Sequence, residues 1–136
     1  MILSREYENK ILDLFRGYPI EKLEKVFIGL VLENGDEVSG DSYNRIEYDT
    51  SSIAWFSTQG TVDEVSTGDT GMISNVANID WGTALETWGT VNRVRFFKEA
   101  TGSGYVCDSV IPATLISNGD TVNILAEDFT ISTRDA

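Results

Sequence analysis

Carboxylates are the most frequent side chains in this sequence that could do chemistry, with 22 Asp and Glu among 136 residues. Two carboxylates held across a cleft can hydrolyse a glycosidic bond. Acids adjacent in sequence make poor pairs of this kind, because neighbouring residues on a strand point to opposite faces; they are Asp36-Glu37, Asp63-Glu64 and Glu127-Asp128. A small β-fold hydrolase with two facing acids stays open as an alternative, but we assign no residue a catalytic role.

Histidine is absent from the sequence. Its absence removes Ser-His-Asp and Cys-His arrangements, and every metal or general-base role built on imidazole. No Walker-type phosphate loop is present, and Thr101-Gly102-Ser103-Gly104 is typical of a hairpin turn. Loops carrying Asp63, Asp69 or Asp80 could gather oxygen ligands, yet none has the spacing of a calcium-binding loop. The sequence therefore predicts a protein that is not an enzyme and that has no metal and no cofactor.

A single cysteine, Cys107, excludes a disulfide within the chain. A buried free thiol on a strand and a disulfide between two chains are both compatible with the sequence.

The formal net charge is −12. Such a charge argues against nucleic acid and against anionic membrane surfaces as partners. Residues 46–92 contain no Lys or Arg, whereas basic residues concentrate near the N-terminus and at Arg93, Arg95 and Lys98. This asymmetry could orient subunits, with an acidic face against a basic face. Alternatively, Arg93 and Arg95 pair with acids on adjacent strands of their own sheet.

The first residues carry charge and lack the apolar core of a secretory signal. No apolar stretch is long enough to span a bilayer. We therefore expect a protein made and assembled in a cytoplasm.

The N-terminal segment predicts a helix over residues 4–17. Ser4 can cap the first turn, Gly17 supplies a stop, and Pro19 prevents continuation. Apolar residues recur at helical spacing and form one stripe; they are Leu3, Tyr7, Ile11, Leu14 and Phe15. We expect this stripe to pack on its own domain, or alternatively on a neighbouring subunit.

The remainder predicts strands separated by turn signals every eight to twelve residues. Residues 80–98 lead into the expected central strand of an antiparallel sheet, with Val94 and Phe96 on one face and Arg93 and Arg95 on the other. Asn34-Gly35 and Asn118-Gly119 are the strongest hairpin signals. A meander is expected after residue 98, and Pro112 is expected at a sheet edge or at the exit of a strand.

The predicted fold class is mainly β, an antiparallel β-sandwich or barrel of jelly-roll-like type with one N-terminal helix. A single domain is expected over residues 1–136, with the helix at 4–17 and the sandwich at 26–133. Most of the core area is expected from five aromatic side chains; they are Trp55, Phe56, Trp81, Phe96 and Phe129.

Several motifs, taken in their order along the chain, resemble a known family. They are a helix containing Tyr7-Glu8-Asn9-Lys10-Ile11, the strand Val26-Phe27-Ile28-Gly29-Leu30, the loop Glu37-Val38-Ser39-Gly40 before Tyr43-Asn44-Arg45-Ile46, Ser74-Asn75, Trp88-Gly89-Thr90-Val91, the hairpin Glu99-Ala100-Thr101-Gly102-Ser103-Gly104, Asn118-Gly119-Asp120-Thr121-Val122 and Phe129-Thr130-Ile131-Ser132. The family so resembled is that of small virion proteins of tailed bacteriophages, often described as tail-fibre-like.

This resemblance implies a non-enzymatic structural protein of a phage particle, located in a tail fibre, in the neck or collar, or in a capsid decoration. Its expected partners are other virion proteins and copies of itself, with no nucleic acid and no membrane. Six residues are candidates for a subunit interface; they are Tyr7, Ile11, Phe15, Trp88, Arg93 and Arg95. The alternative is an adhesion module that binds host glycans by stacking sugars on Trp55, Trp81 or Trp88.

Overall fold

The computed structural model describes residues 1–23, 25–51 and 54–133. In chain order the elements are β1 (Ile2–Leu3), α1 (Arg5–Leu14), β2 (Val26–Leu32), β3 (Ile46–Tyr48), β4 (Trp55–Phe56), β5 (Met72–Asn75), β6 (Ile79–Thr83), β7 (Gly89–Phe97), β8 (Tyr105–Ile116), β9 (Thr121–Ile124) and β10 (Thr130–Ser132). The mainly β architecture with one N-terminal helix is therefore confirmed. Within the described part of the chain, no helix is long and apolar enough to cross a membrane.

Helix α1 begins where the sequence predicts. The Ser4 side chain accepts a hydrogen bond from the Tyr7 N–H at 3.3 Å, which satisfies one of the free amides of the first turn. The helix ends at Leu14, earlier than the predicted stop, and Gly17 has a φ of +89° in the turn that follows. A positive φ is readily adopted only by glycine, so the sequence signal for the end of the helix is real.

The first layer of the sandwich is a five-stranded antiparallel sheet in the order β1-β8-β7-β2-β3. Strand β7 lies at its centre, as predicted, and pairs with β2 on one side and β8 on the other. Val94 and Phe96 are buried on the inner face, and Arg93 and Arg95 lie on the outer face. The alternation in sequence is therefore the alternation of the pleat.

The second layer consists of two small sheets, β10-β5-β4 and β6-β9. The two layers pack face to face and do not close into a barrel. Of the aromatic residues expected in the core, Trp81, Phe96 and Phe129 are buried, whereas Trp55 and Phe56 are half-buried. The ring centroids of Phe96 and Phe129 lie 5.6 Å apart, so this pair joins the two layers directly.

The expected meander after residue 98 is wrong beyond the β7–β8 hairpin. The Asn118-Gly119 turn is present, but β8 and β9 do not pair, and β9 pairs with β6 instead. Backbone hydrogen bonds explain the change of layer: Gly119 N–H donates to the Ala84 carbonyl at 2.7 Å, and Ala84 N–H donates to the Asp120 carbonyl at 2.8 Å. The turn is thus anchored to the end of β6.

Two further stretches whose residue patterns are typical of strands differ in the structure. The alternation over residues 43–48 forms a strand only at Ile46–Tyr48, because Tyr43 and Arg45 turn to Glu37. Residues 61–65 form no strand. Ile53, which from its sequence would begin the strand of Trp55 and Phe56, lies outside the described residues.

Pro112 lies within β8 rather than at its end. The register between β7 and β8 passes from Arg93↔Val110 to Val91↔Thr114, so residues 111–113 of β8 face Asn92 alone. This bulge accommodates the proline, which has no N–H to offer to the ladder.

A buried carboxylate holds the outer face of the central strand pair. Asp108, only 1% exposed, accepts hydrogen bonds from Arg95 Nε at 2.6 Å and Arg95 Nη2 at 2.8 Å, and from Arg93 Nη1 at 3.3 Å. Arg95 lies directly opposite Asp108 across the ladder, and its guanidinium also lies 4.0 Å from the centre of the Tyr105 ring. The prediction that the two arginines pair with an acid on a neighbouring strand is therefore confirmed.

Cys107 is a buried free thiol, 4% exposed, on the inner face of β8. Burial away from water, followed by the neighbouring Asp108 charge, raises the pKa of the thiol to about 12. Of the two states open to this cysteine from sequence, the structure places it in the buried one.

Replacing Asp108 with Ala removes the anion that both arginines surround. We expect the Asp108→Ala variant to lose about 3 kcal/mol of unfolding free energy, measured by urea denaturation, because a buried charge pair is broken on one side. The control is Glu47→Ala, which breaks an ion pair to Lys25 whose side chains are 61% and 55% exposed. Equal stability of the two variants would contradict the role given to Asp108.

Alkylation of Cys107 by iodoacetamide at pH 8 should be at least about a hundredfold slower in the folded chain than in the unfolded one, because the folded thiol is almost entirely protonated. Mass spectrometry measures the labelled fraction, and the guanidinium-unfolded chain serves as its own control. A disulfide-linked dimer on a non-reducing gel of the native protein would overturn this expectation.

Candidate assembly surface

The three candidate interface residues on α1 differ greatly in exposure. Tyr7 is 6% exposed, Ile11 is 36% exposed and Phe15 is 90% exposed. These residues share one side of the helix, since they are separated by four positions each. Exposure therefore rises along a single stripe, which means that the helix leaves the body of the protein as it proceeds.

Attachment of the helix at its first turn alone explains this gradient. Ser4 N–H donates to the Val106 carbonyl of β8 at 2.8 Å, and Tyr7 is the buried residue of the helix. The last turns and the residues after them present apolar side chains to solvent; they are Ile11, Leu12, Leu14, Phe15 and Tyr18, called here the helix face. The predicted packing of the stripe on its own domain holds for Leu3 and Tyr7, and the members further along the helix are exposed.

The chain after the helix folds back on itself and leaves the helix face uncovered. Tyr18 N–H donates to the Asp13 carbonyl at 3.0 Å, and the Arg16 guanidinium lies 5.2 Å from the centre of the Tyr18 ring. Arg16 Nη1 also donates to Asp13 Oδ1 at 2.7 Å. These contacts give the segment a defined shape without covering Phe15.

A cleft of about 600 Å³ lies beside the helix, between the helix, the segment before β2 and the end of β7. It is lined by four lysines together with Tyr7, Phe27 and two acids; the four are Lys10, Lys22, Lys25 and Lys98. We call it the lysine cleft. Four of the ten basic residues of this acidic chain therefore meet at one place.

Ion pairs order three of these lysines. Glu6 Oε1 lies 2.7 Å from Lys98 Nζ and 3.2 Å from Lys10 Nζ, and Lys25 Nζ lies 2.8 Å from Glu47 Oε1. Hydrogen bonding to Lys98 lowers the pKa of Glu6, and the same bond raises the pKa of Lys98. Four carboxylates therefore balance the four lysines, namely Glu6, Glu47 and the lining residues Glu21 and Glu99, so the cleft is close to neutral in a chain that is otherwise strongly acidic.

The second layer carries the opposite charge. Residues 54–92, which include β4, β5 and β6, and residues 117–133, which include β9 and β10, contain no Lys or Arg. They contain eight acids; these are Asp63, Glu64, Asp69, Asp80, Glu86, Asp120, Glu127 and Asp128. We call this side the acidic layer. The charge asymmetry seen in the sequence therefore separates the two layers in space.

The other three interface candidates are occupied within the chain. Trp88 is 4% exposed, its Nε1 donates to Ser42 Oγ at 3.1 Å, and its ring meets Tyr43 edge-on at 5.4 Å. Arg93 and Arg95 bind Asp108, with side chains 40% and 17% exposed. A role for these three residues in a subunit interface stays a prediction. Arg93 has the most exposed side chain of the three.

The tryptophans considered for glycan stacking have little free ring surface. Trp81 and Trp88 are 7% and 4% exposed, and Trp55 is half-buried between Tyr48 and Phe96. Within the described ranges, no group of three or more His, Cys, Asp or Glu side chains is placed to hold a metal ion.

Sequence reasoning missed most of this surface. Leu12 and Tyr18 lie off the predicted stripe, and the exposure of the helix face depends on how far the helix is from the body, which no local pattern encodes. Lys98 lies far along the chain from Lys10, Lys22 and Lys25, so the lysine cleft exists only in three dimensions. The signal available was that five of the ten basic residues lie within residues 1–25.

Comparison with known proteins gives one match. A family model described as "Podophage GP4 fiber I protein gp80" matches residues 3–132, which is nearly the whole chain. No curated protein matches the chain.

Proposed function

The chain belongs to the podophage GP4 fiber I protein gp80 family and is a structural component of a phage fibre. On that premise, we propose that it is a non-enzymatic β-domain that forms homo-oligomers and attaches to the exterior of the particle. The observation that carries this proposal is the exposed helix face. It combines Phe15 at 90% and Leu12 at 64% exposure on a helix of defined shape. Contiguous apolar surface of this kind is typical of protein interfaces.

The occupant of the helix face that we propose is a second copy of this chain. Charge complementarity supports this choice, because the lysine cleft beside the helix brings together four lysines, whereas the acidic layer of every copy has eight acids and no Lys or Arg. An acidic chain repels its own copies over most orientations, and this repulsion is weakest where the lysine cleft meets the acidic layer. The helix face then supplies the apolar core of the contact, and the charges set its orientation.

Such a contact joins different surfaces of the two copies. A contact of this type closes into a ring if the rotation between copies permits it. A ring of copies around an axis suits a fibre, whose subunits surround a common axis. We propose that assembly takes place in the host cytoplasm and that the oligomer then joins other virion proteins, in a fibre, neck or collar, or at the capsid surface.

Host-glycan adhesion is the second function considered. It requires a flat aromatic ring exposed in a groove, and the burial of Trp81 and Trp88 weighs against it. A glycan array with the wild-type chain tests this alternative directly, since specific binding would assign the chain a receptor role.

Substituting Phe15 with Glu tests the helix face without touching the fold, because the side chain is 90% exposed. We expect the dissociation constant of the oligomer to rise roughly 10–100-fold, from the loss of one buried aromatic contact, in light scattering at graded concentrations. The control is Val110→Glu, which adds the same charge at a 66% exposed apolar residue of β8, outside the helix face, the lysine cleft and the acidic layer. The proposed contact through the helix face would be contradicted if the wild-type chain stayed monomeric at every concentration, or if both variants had equal effects.

A further inference from the structure

Strands β8 and β9 enclose a groove that no described residue fills. They are joined by the short turn at residues 117–120, yet they lie in different layers and do not pair. The groove between them has a volume of about 320 Å³. Its walls are mainly apolar, and they include Ile111, Leu115, Val122 and Ile124.

Both strands that border the groove have unpaired edges. In the described part of the chain, β9 pairs only with β6, so its second edge has no partner. Strand β8 pairs with β1 only at Cys107 and Asp108, so beyond Ser109 it has a partner on the β7 side alone. Unpaired main-chain groups along an edge are the template to which an extended segment adds.

The floor of the groove contains a polar group without a partner. Trp81 lines the groove, is 7% exposed, and its buried Nε1 has no acceptor among the described residues. Buried indole N–H groups are normally hydrogen-bonded.

We propose that the groove receives an extended apolar segment of another virion protein, which pairs with the free edge of β9 and places alternate side chains between Leu115 and Val122. Charge complementarity indicates a segment that also carries Lys or Arg. The groove is lined by Asp120 and by no basic residue, and Asp80 is exposed on the neighbouring strand β6.

The occupant is another protein rather than a second copy of this chain. Most described residues of each copy already belong to its own strands, helix and connecting loops. A second copy would therefore have to open its own fold to donate a strand. The bulge at Pro112 directs pairing to β9, because Pro112 cannot donate a hydrogen bond from the β8 edge.

Hydrogen–deuterium exchange tests the occupied edge. In the isolated chain, we expect amides of residues 121–124 that face away from β6 to exchange rapidly. In purified phage particles, we expect the same amides to exchange at least roughly tenfold more slowly. Unchanged exchange in particles would overturn the proposal. Protection that appears when the isolated chain is merely concentrated would assign the groove to a second copy, and would also overturn it.

A matched pair of substitutions on β8 tests the groove itself. Leu115 is 60% exposed and lines the groove, whereas Val110 is 66% exposed on the same strand and does not. We expect particles made with Leu115→Lys to lose most of the protein, measured by mass spectrometry of purified virions, and particles made with Val110→Lys to retain it. Both variants should melt near the wild-type temperature. Equal retention of the two variants would overturn the proposal.

The groove and the helix face are separable in the same material. Leu115→Lys should keep the wild-type oligomer mass in light scattering, because it leaves Phe15 and the lysine cleft intact. A lowered mass would place the groove in self-assembly and overturn the assignment to another protein. Loss of oligomers in Phe15→Glu together with normal exchange protection of β9 in particles would support the groove proposal, because it shows that the groove is occupied independently of self-association.

Discussion

The ion pair between Asp108 and Arg95 is the contact on which the arrangement of the first layer depends. It crosses the central ladder between β7 and β8, and Arg93, two residues before Arg95 on β7, binds the same carboxylate. The inner faces of these strands carry Phe96 and Cys107 into the core. Fixing the outer face therefore also fixes which face of the strand pair turns inward, since a shift by one residue would exchange the two faces. A buried pair of this kind stabilises one register more surely than it stabilises the fold as a whole.

Charge separation between the layers follows from the same arrangement. The first layer needs cations to neutralise Asp108 and Glu37 on its outer face, and Arg45, Arg93 and Arg95 supply them. The second layer has no such buried acids to satisfy, and its carboxylates are mostly exposed to solvent. The charge is thus distributed unevenly: nine of the ten basic residues belong to the side of the first layer, which is only moderately acidic, and the second layer has acids alone. A subunit with such a field has a preferred orientation next to its neighbours before any contact is made.

The fold class could be predicted from sequence because its determinants are local. Alternation at residues 93–97 predicts the central strand, and Ser4 and Gly17 mark the limits of a helical segment. The path of the chain between layers could not be predicted in this way. Asn118-Gly119 is a strong hairpin signal, yet the hydrogen bonds that its turn makes to Ala84 carry the chain into the other layer. The exposure of Phe15 could not be predicted from sequence either, because Phe15 lies on the same stripe as the buried Tyr7. The two differ only because the helix moves away from the body of the protein between them.

The bulge at Pro112 has a consequence for the size of an assembly. A sandwich with two open edges side by side is at risk of growing without limit, because each added strand offers a new edge to the next. Here one of the two edges is interrupted by a residue that cannot continue a ladder. A segment added between them would find a continuous ladder on the β9 side and an interrupted one on the β8 side, which limits further strand addition from this groove.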